Sequence, residues 1–348
     1  MISKRFDFNP TSILKLNDIQ VEAKKKVEYK IQSGKYKFEM KKCQVCDSST
    51  HEELAKRDRY GLQHTTVICS NCGLVYTNPQ MSLDSYDEFY NSEYRDLYVG
   101  SSSTTDLFFK RQIKKGQSIY NYIKENSDVV LNDKTKVLEI GCGAGGILQF
   151  FKQKGCCVKG IDIGGKYLEY GIEKHSLDLT KGTLHTLDLK FKPDIIIYSH
   201  VLEHITELNA EIGLIKKIIS LETLLYIEVP GMKMIHKTYK RDFLLYLQNA
   251  HTFCFSLSSL NNLLSKNGFK LLKGNESIQS IFVPHENIKS RHTNDLEPTI
   301  EYLQKIEKSR RLYFFSIINL KNRFKTLIIY ILTKIGLKQK VAGLLNKN

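Results

Sequence analysis

Proline is scarce in these 348 residues, at six, and the 21 glycines follow no triplet period. A collagen-like or low-complexity chain is thereby excluded, and no repeat recurs at a solenoid period. Apolar runs fall far short of the ~20 residues that cross a bilayer. The longest, Thr326 to Thr333, is closed off by Lys325 and Lys334. From Met1 to Asp7 and beyond there is no ~7–15-residue apolar stretch of the kind a secretory leader needs. A cytoplasmic chain without a transmembrane helix is expected. Acid is missing from one end: residues 308–348 hold 10 Lys and Arg and no Asp or Glu. Residues 1–42 hold 11 basic and 5 acidic residues, and the stretch between is balanced at 31 against 32. The net charge of +15 therefore belongs to the ends. The middle offers little footprint for a phosphate backbone, so no specific nucleic acid is expected. What the chain does have is core material, 41% hydrophobic residues, on a length that suits about two domains of ~100–200 residues.

Eight cysteines fall into two groups. Cys43, Cys46, Cys69 and Cys72 form two C-x-x-C pairs, whereas Cys142, Cys156, Cys157 and Cys254 are scattered. In a reducing cytosol, four thiolates on two tight turns can close a tetrahedron around Zn²⁺, with Gly73 supplying a permissive turn backbone. Two pairs of buried or redox thiols are the other reading. With all four positions taken, such a metal is structural and not catalytic. The scattered four read as small buried hydrophobes.

From Lys136 the chain reads KVLEIGCGAGG, an apolar strand and a glycine turn, and Ile147 to Phe151 then opens an amphipathic helix. This is the first unit of a doubly wound α/β fold. The next strand, Cys157 to Asp162, ends in a carboxylate 21 residues after Gly141, where it can accept the ribose hydroxyls of an adenosine. Gly141, Gly143 and Gly146 also satisfy the dinucleotide pattern G-x-G-x-x-G, so two cofactors compete. Glu139 helps to decide: its charge opposes a pyrophosphate at the helix N-terminus and favours the ammonium and sulfonium of S-adenosylmethionine. Gly145 completes E-x-G-x-G-x-G.

Together, Glu139 to Gly145, Asp162 and PDIIIYSHVLEHI at Pro193 to Ile205 resemble the class I S-adenosylmethionine-dependent methyltransferases. The stretch CQVC…CSNCGLVYTNPQ and FYNSEY at Phe89 to Tyr94 resemble the subgroup of sugar and surface-polysaccharide biosynthesis, with an N-terminal zinc ribbon. The resemblance runs from about Cys43 to Val283. It implies a Rossmann-like seven-stranded methyltransferase sheet over residues 105–285 and a zinc-ribbon-like module over 43–82; charge and periodicity add a basic arm over 1–42 and a basic helical tail over 286–348. It also implies Glu139, Gly141, Gly143 and Gly145 beside the methionine part, Asp162 at the ribose, Asp188 near the adenine or merely on a surface loop, and His200 against the cofactor.

Methyl transfer to oxygen needs positioning and a base worth about 10²–10⁴-fold. His200 and His204 flank Glu203 just after the fourth strand, and either one serves as base, orienter or packing residue. NAHTFCFS at Asn249 to Ser256 resembles a motif whose histidine and aromatics face substrate, which adds His251 as a base or as a structural histidine. Sugar C-methylating relatives typically carry glutamate before that histidine; here it is Ala250, which tilts the reading toward a hydroxyl acceptor on a nucleotide sugar or cell-surface glycan. RNA methylation is the competing reading, disfavoured because Ser199-His200-Val201-Leu202 replaces the N/D-P-P-Y-type turn that holds a base amine. A non-catalytic cofactor-fold module is the third.

In residues 308–348 Leu312, Phe315, Phe324, Leu327, Ile331 and Ile335 recur near helical spacing among basic residues. A face of this kind suits an anionic membrane surface, here the inner one, or closes on the protein's own core. Removing residues 308–348 should release the protein from anionic liposomes while sparing cofactor affinity; unchanged liposome binding ends the membrane reading.

Overall fold

A computed structural model describes residues 2–100, 106–286, 292–315 and 328. In chain order the amino-proximal part contains α1 (Asp18–Gln32), β1 (Phe38–Glu39), β2 (His51–Arg57), β3 (Gln63–Cys69), β4 (Val75–Thr77), β5 (Gln80–Met81), α2 (Leu83–Ser92) and α3 (Tyr94–Tyr98). The larger part follows as α4 (Asp106–Asn126), β6 (Lys136–Ile140), α5 (Gly146–Gln153), β7 (Cys157–Asp162), α6 (Gly165–His175), β8 (Leu179–Lys181), β9 (Ile195–Ser199), α7 (Leu208–Ile218) and β10 (Leu224–Glu228). It closes with α8 (Ile235–Thr238), α9 (Phe243–Tyr246), β11 (Phe253–Cys254), α10 (Leu257–Lys266), β12 (Phe269–Gly274), β13 (Gln279–Pro284) and α11 (Leu296–Lys308).

Seven strands form one sheet in the order β12-β13-β10-β9-β6-β7-β8, parallel from β10 to β8, with β13 antiparallel to β10 and β12. The expected Rossmann-like α/β architecture is present. Central strands of such a sheet are covered on both faces and read as continuous apolar runs; Ile195 to Tyr198 are each fully buried. The order reverses between β6 and β9, so the loops after these neighbouring strands splay apart over the carboxyl edge, where ligands bind in open α/β sheets. Helix α10 begins where the capping signal expects: Ser256 accepts from the Ser259 amide, and Gly268 takes φ +83° just past its end.

The cysteine-bearing segment is welded to this sheet. Strands β2, β3 and β4 form an antiparallel sheet whose fourth member, β11, comes from the larger part, with Phe253 opposite Tyr76 and Cys254 opposite Val75. Cys43, Val45, Cys69, Cys72 and Tyr76 share a core with Leu138, Ile196, Tyr198, Leu225 and Phe253. The arm over 1–42 also folds onto the body. Asn17 and Gln20 cap α1 reciprocally, and Arg5 pairs with both Asp242 and Glu307 at 2.8 Å. Of the tail, α11 buries Leu303 and Ile306, whereas Leu312 and Phe315 are exposed. Phe324, Leu327, Ile331 and Ile335, on which the periodicity also rests, lie outside the described residues.

Gly73 and Gly34 separate two costs of replacing glycine. Both have positive φ, at +78° and +72°. A Cβ on Gly73 would lie 2.3 Å from the Asp295 backbone, whereas one on Gly34 meets nothing within 4 Å. Gly34→Ala should cost about 1 kcal/mol of backbone strain alone, and Gly73→Ala at least about 2 kcal/mol, as read from urea midpoints at unchanged m-value.

Candidate functional site

The glycine turn after β6 is shaped by two demands. Gly141, Gly143 and Gly145 all take positive φ, a region costly for residues with a Cβ. Crowding differs among them: a Cβ on Gly141 would meet Val201 at 2.3 Å and one on Gly145 would meet Leu177 at 2.8 Å, but above Gly143 there is nothing within 4 Å. The turn is thus packed on two sides and open on the third, toward the strand ends. Asp162, at the end of β7, braces it, accepting from the Gly143 amide at 2.8 Å and the Gly164 amide at 2.7 Å. Each carboxylate oxygen keeps acceptor capacity beyond those bonds. Asp188 is exposed on the loop between β8 and β9, outside the hydrogen-bonded set that joins Asp162 to the turn.

Glu139 is almost fully buried beneath this turn, and its Oε2 has no hydrogen-bond partner among the described residues. Burial, with the Asp162 charge adding to it, lifts its carboxyl well above the usual range, against a bond from the Leu148 amide. A cation placed there would answer the orphan oxygen. The residues present therefore fit the ammonium end of S-adenosylmethionine: open space over Gly143, an unanswered acid at one side and a braced acceptor at the other.

After β9 the backbone turns sharply at His200, a non-glycine residue with φ +58°, whose amide donates to the Glu228 carbonyl at 2.7 Å. This turn projects the imidazole half-exposed between two acids, with Nδ1 3.5 Å from Glu203 and Nε2 3.9 Å from Glu228. Desolvation lowers its proton affinity, but Glu203 and then Glu228 outweigh that, and His200 sits above the usual histidine range. Glu228 is further engaged by Lys115 and by the Tyr226 hydroxyl.

Glu203 is the hub. Its side chain is 1% exposed, neither carboxylate oxygen has a hydrogen-bond partner among the described residues, and three histidines surround it. His204 Nε2 lies 3.9 Å away and His251 Nε2 3.8 Å away. His204 and His251 meet edge to face at 4.7 Å. Burial above all lowers the proton affinity of both, His251 the more strongly because His204 and Arg59 add to it. The structure thus gathers His200, His204 and His251 around one acid. His251 arrives there because it immediately precedes the short link to β11, with the Thr252 amide held by the Glu203 carbonyl at 2.9 Å.

Two features escaped sequence reasoning. Glu203 is visible between its histidines, but its burial without a partner is not. The second is a row of tyrosines, Tyr86, Tyr90, Tyr94 and Tyr98, spaced by four along α2 and α3. Tyr90 stacks on Tyr94 at 4.3 Å and Tyr94 on Tyr98 at 5.6 Å. His204 abuts Tyr90 and Tyr94 edge-on at 5.8 and 5.9 Å. The row runs from buried Tyr86 to exposed Tyr98, and His204 joins it to the hub. The spacing of four was the available signal.

The four paired cysteines converge. Cys43 and Cys72 sulfurs are 3.5 Å apart and those of Cys46 and Cys69 3.4 Å, with all four within 4.8 Å of one another. Zn–S bonds of about 2.3 Å place tetrahedral sulfurs about 3.8 Å apart, so the set fits that ion. The two turns are alike: the Asp47 amide donates to the Cys43 carbonyl at 2.8 Å and the Gly73 amide to the Cys69 carbonyl at 2.9 Å. Contact with Cys69 foremost pushes the Cys43 thiol above the usual thiol range.

Residues 108–273 match the model of a family described as a methyltransferase domain. That part of the chain, a little under half of it, is similar to a methyltransferase domain. It includes the glycine turn, Asp162 and all three histidines, and leaves the cysteine module outside. No curated protein sequence matches the chain. Among solved structures, magnesium protoporphyrin IX methyltransferase from Synechocystis is 18% identical, with 57% of this chain and 97% of that chain covered and a TM-score of 0.40. A Pyrococcus horikoshii protein is 16% identical over 56% and 99%, at 0.42. A Clostridium acetobutylicum S-adenosylmethionine-dependent methyltransferase is 11% identical over 58% and 99%, at 0.39.

An acid raised by burial must give up its proton to pair with a cation. S-adenosylmethionine binding should therefore release a proton from Glu139, and affinity should rise with pH until the empty-site value is passed. Calorimetry in buffers of different ionisation enthalpy should show that release, and Glu139→Gln should abolish it and weaken binding about ten- to hundredfold.

Proposed function

We propose that the protein transfers a methyl group from S-adenosylmethionine to a hydroxyl of a sugar, presented as a nucleotide sugar or a cell-surface glycan. One observation carries the reading: the open glycine turn and the histidine-ringed Glu203 meet at the same switch point, and the tyrosine row leads to it. Tyrosine faces suit the apolar C–H face of a sugar ring, and their hydroxyls suit its polar rim. The balanced charge of the middle of the chain speaks against RNA as the acceptor.

The cofactor, when bound, supplies a methyl already activated on a sulfonium. What the protein has to add is alignment and somewhere for the hydroxyl proton to go. His200 is the exposed member of the cluster and takes that proton on Nε2, while Nδ1 faces Glu203. The imidazolium so formed lies between the Glu203 and Glu228 carboxylates. His204 and His251, kept neutral by burial, wall the acceptor side.

We assign Zn²⁺ to Cys43, Cys46, Cys69 and Cys72 as a structural ion. Because β11 pairs with β4, the ion also steadies the strand that carries His251 into place.

Incubation with labelled methyl donor and a panel of nucleotide sugars, glycans and RNA tests the reading. Label should appear on a sugar hydroxyl; label on RNA alone, or no detectable donor binding, would overturn it. On the accepted substrate His200→Gln should lower kcat about 10²–10⁴-fold with donor affinity retained. Stripping zinc with a chelator should lower Tm and kcat together, in proportion to the zinc lost.

A further inference from the structure

Glu203 poses a question that methyl transfer does not answer. A carboxylate taken out of water costs several kcal/mol unless a cation or donors meet it. Here both oxygens are orphaned at 1% exposure. His200 faces it only obliquely, 3.5 Å off and half in solvent, whereas the ring nitrogens of His204 and His251 approach it from within the protein, their side chains 12% and 7% exposed. Two imidazoles and a carboxylate so gathered make a donor set in their own right.

We propose that Glu203, His204 and His251 hold a first-row divalent cation, separate from the four-cysteine site. One ligand atom from each lies within 4.8 Å of the other two. Glu203 Oε1 is 3.9 Å from His204 Nε2 and 3.8 Å from His251 Nε2. An ion bonded at about 2.0–2.2 Å to each bridges such separations, drawing the ligands in by a few tenths of an ångström. Imidazole with carboxylate suits zinc, cobalt, nickel, iron or manganese over magnesium or calcium.

The group behind His204 is arranged as a ligand support. His204 Nδ1 donates to the Ala250 carbonyl at 2.9 Å, with the Tyr90 hydroxyl beside it. That fixes the tautomer and leaves the Nε2 lone pair facing Glu203. For His251, the Gln248 amide nitrogen lies against Nε2, and its orientation is set by Arg59 holding the amide oxygen. An N–H donor there requires a lone pair on Nε2, the form that binds metal; the ion takes the amide's place. Three protein ligands leave a position open. His204 borders the tyrosine row. An oxygen bound at the open position would ionise more readily.

Cobalt(II) tests this on the full-length protein, because it reports the two sites differently. A cobalt tetrathiolate has intense thiolate-to-metal charge transfer, whereas a histidine–carboxylate site has only weak visible bands. After metal exchange and gel filtration, elemental analysis should find about two cobalt per chain, one with each signature. Glu203→Gln, which keeps shape and removes charge, should lose the second and keep the thiolate band. His251→Asn, measured alongside, should do the same and covers a misfolded Glu203→Gln. One equivalent in the unaltered protein overturns the site, as do two equivalents retained in both variants; either result identifies His200 as the sole partner of Glu203. Donor binding by calorimetry is read separately, so failure here leaves the methyltransferase reading standing.

Discussion

Buried acid at the ends of neighbouring parallel strands is the constraint around which the site is organised. Glu139 lies in β6 and Glu203 just beyond β9, the two strands between which the sheet order reverses. Each holds a carboxylate oxygen with no hydrogen-bond partner among the described residues. Charge in low dielectric is tolerated only where surrounding packing over-determines it. The fully apolar strands beneath, Ile195 to Tyr198 above all, supply that rigidity. Protein stability is thereby spent on two places that a positive group would relieve. Such placement separates a ligand-binding edge from a merely well-packed one.

The cysteine module belongs to this arrangement and is no appendage. Its sheet takes β11 as a fourth strand, its cysteines pack in the same core as the central parallel strands, and Gln44 bonds across to Asn209. The segment bearing His251 therefore has its position set from both sides. Asp58 accepts from the Asn249 amide at 3.0 Å on the module side, and the Glu203 carbonyl accepts from Thr252 on the other. Helices α2 and α3, which follow the module, bring the tyrosine row over the hub. Strand pairing alone thus ties the four-cysteine cluster to the position of His251.

Charge sets the roles of the three histidines apart. His200 stands at the solvent margin between two acids and holds protons more firmly than usual, whereas His204 and His251 sit behind it and hold them less firmly. Environments that push like groups in opposite directions allow one residue type to serve different tasks. The left-handed backbone at His200 is part of the device, because it turns the ring out of the strand line and toward the cleft.

Local pattern was enough to read the core of this chain. Strand-glycine-helix order, Asp162 at the end of the next strand, the capping serine at 256 and the two C-x-x-C pairs all depend on near neighbours, and periodicity and backbone freedom report them directly. Glu203 lay in plain view between His200 and His204, but its lost solvation arises from residues packed over it from several elements. The pairing of residues 253–254 with 75–76, the reach of His251 to Glu203 and the meeting of the tyrosine row with His204 join segments from about fifty to about 180 residues apart. Such contacts form only when the chain has already paid the entropy of closing those loops. Spacing along the sequence holds no record of that closure, so the tertiary structure alone decided it.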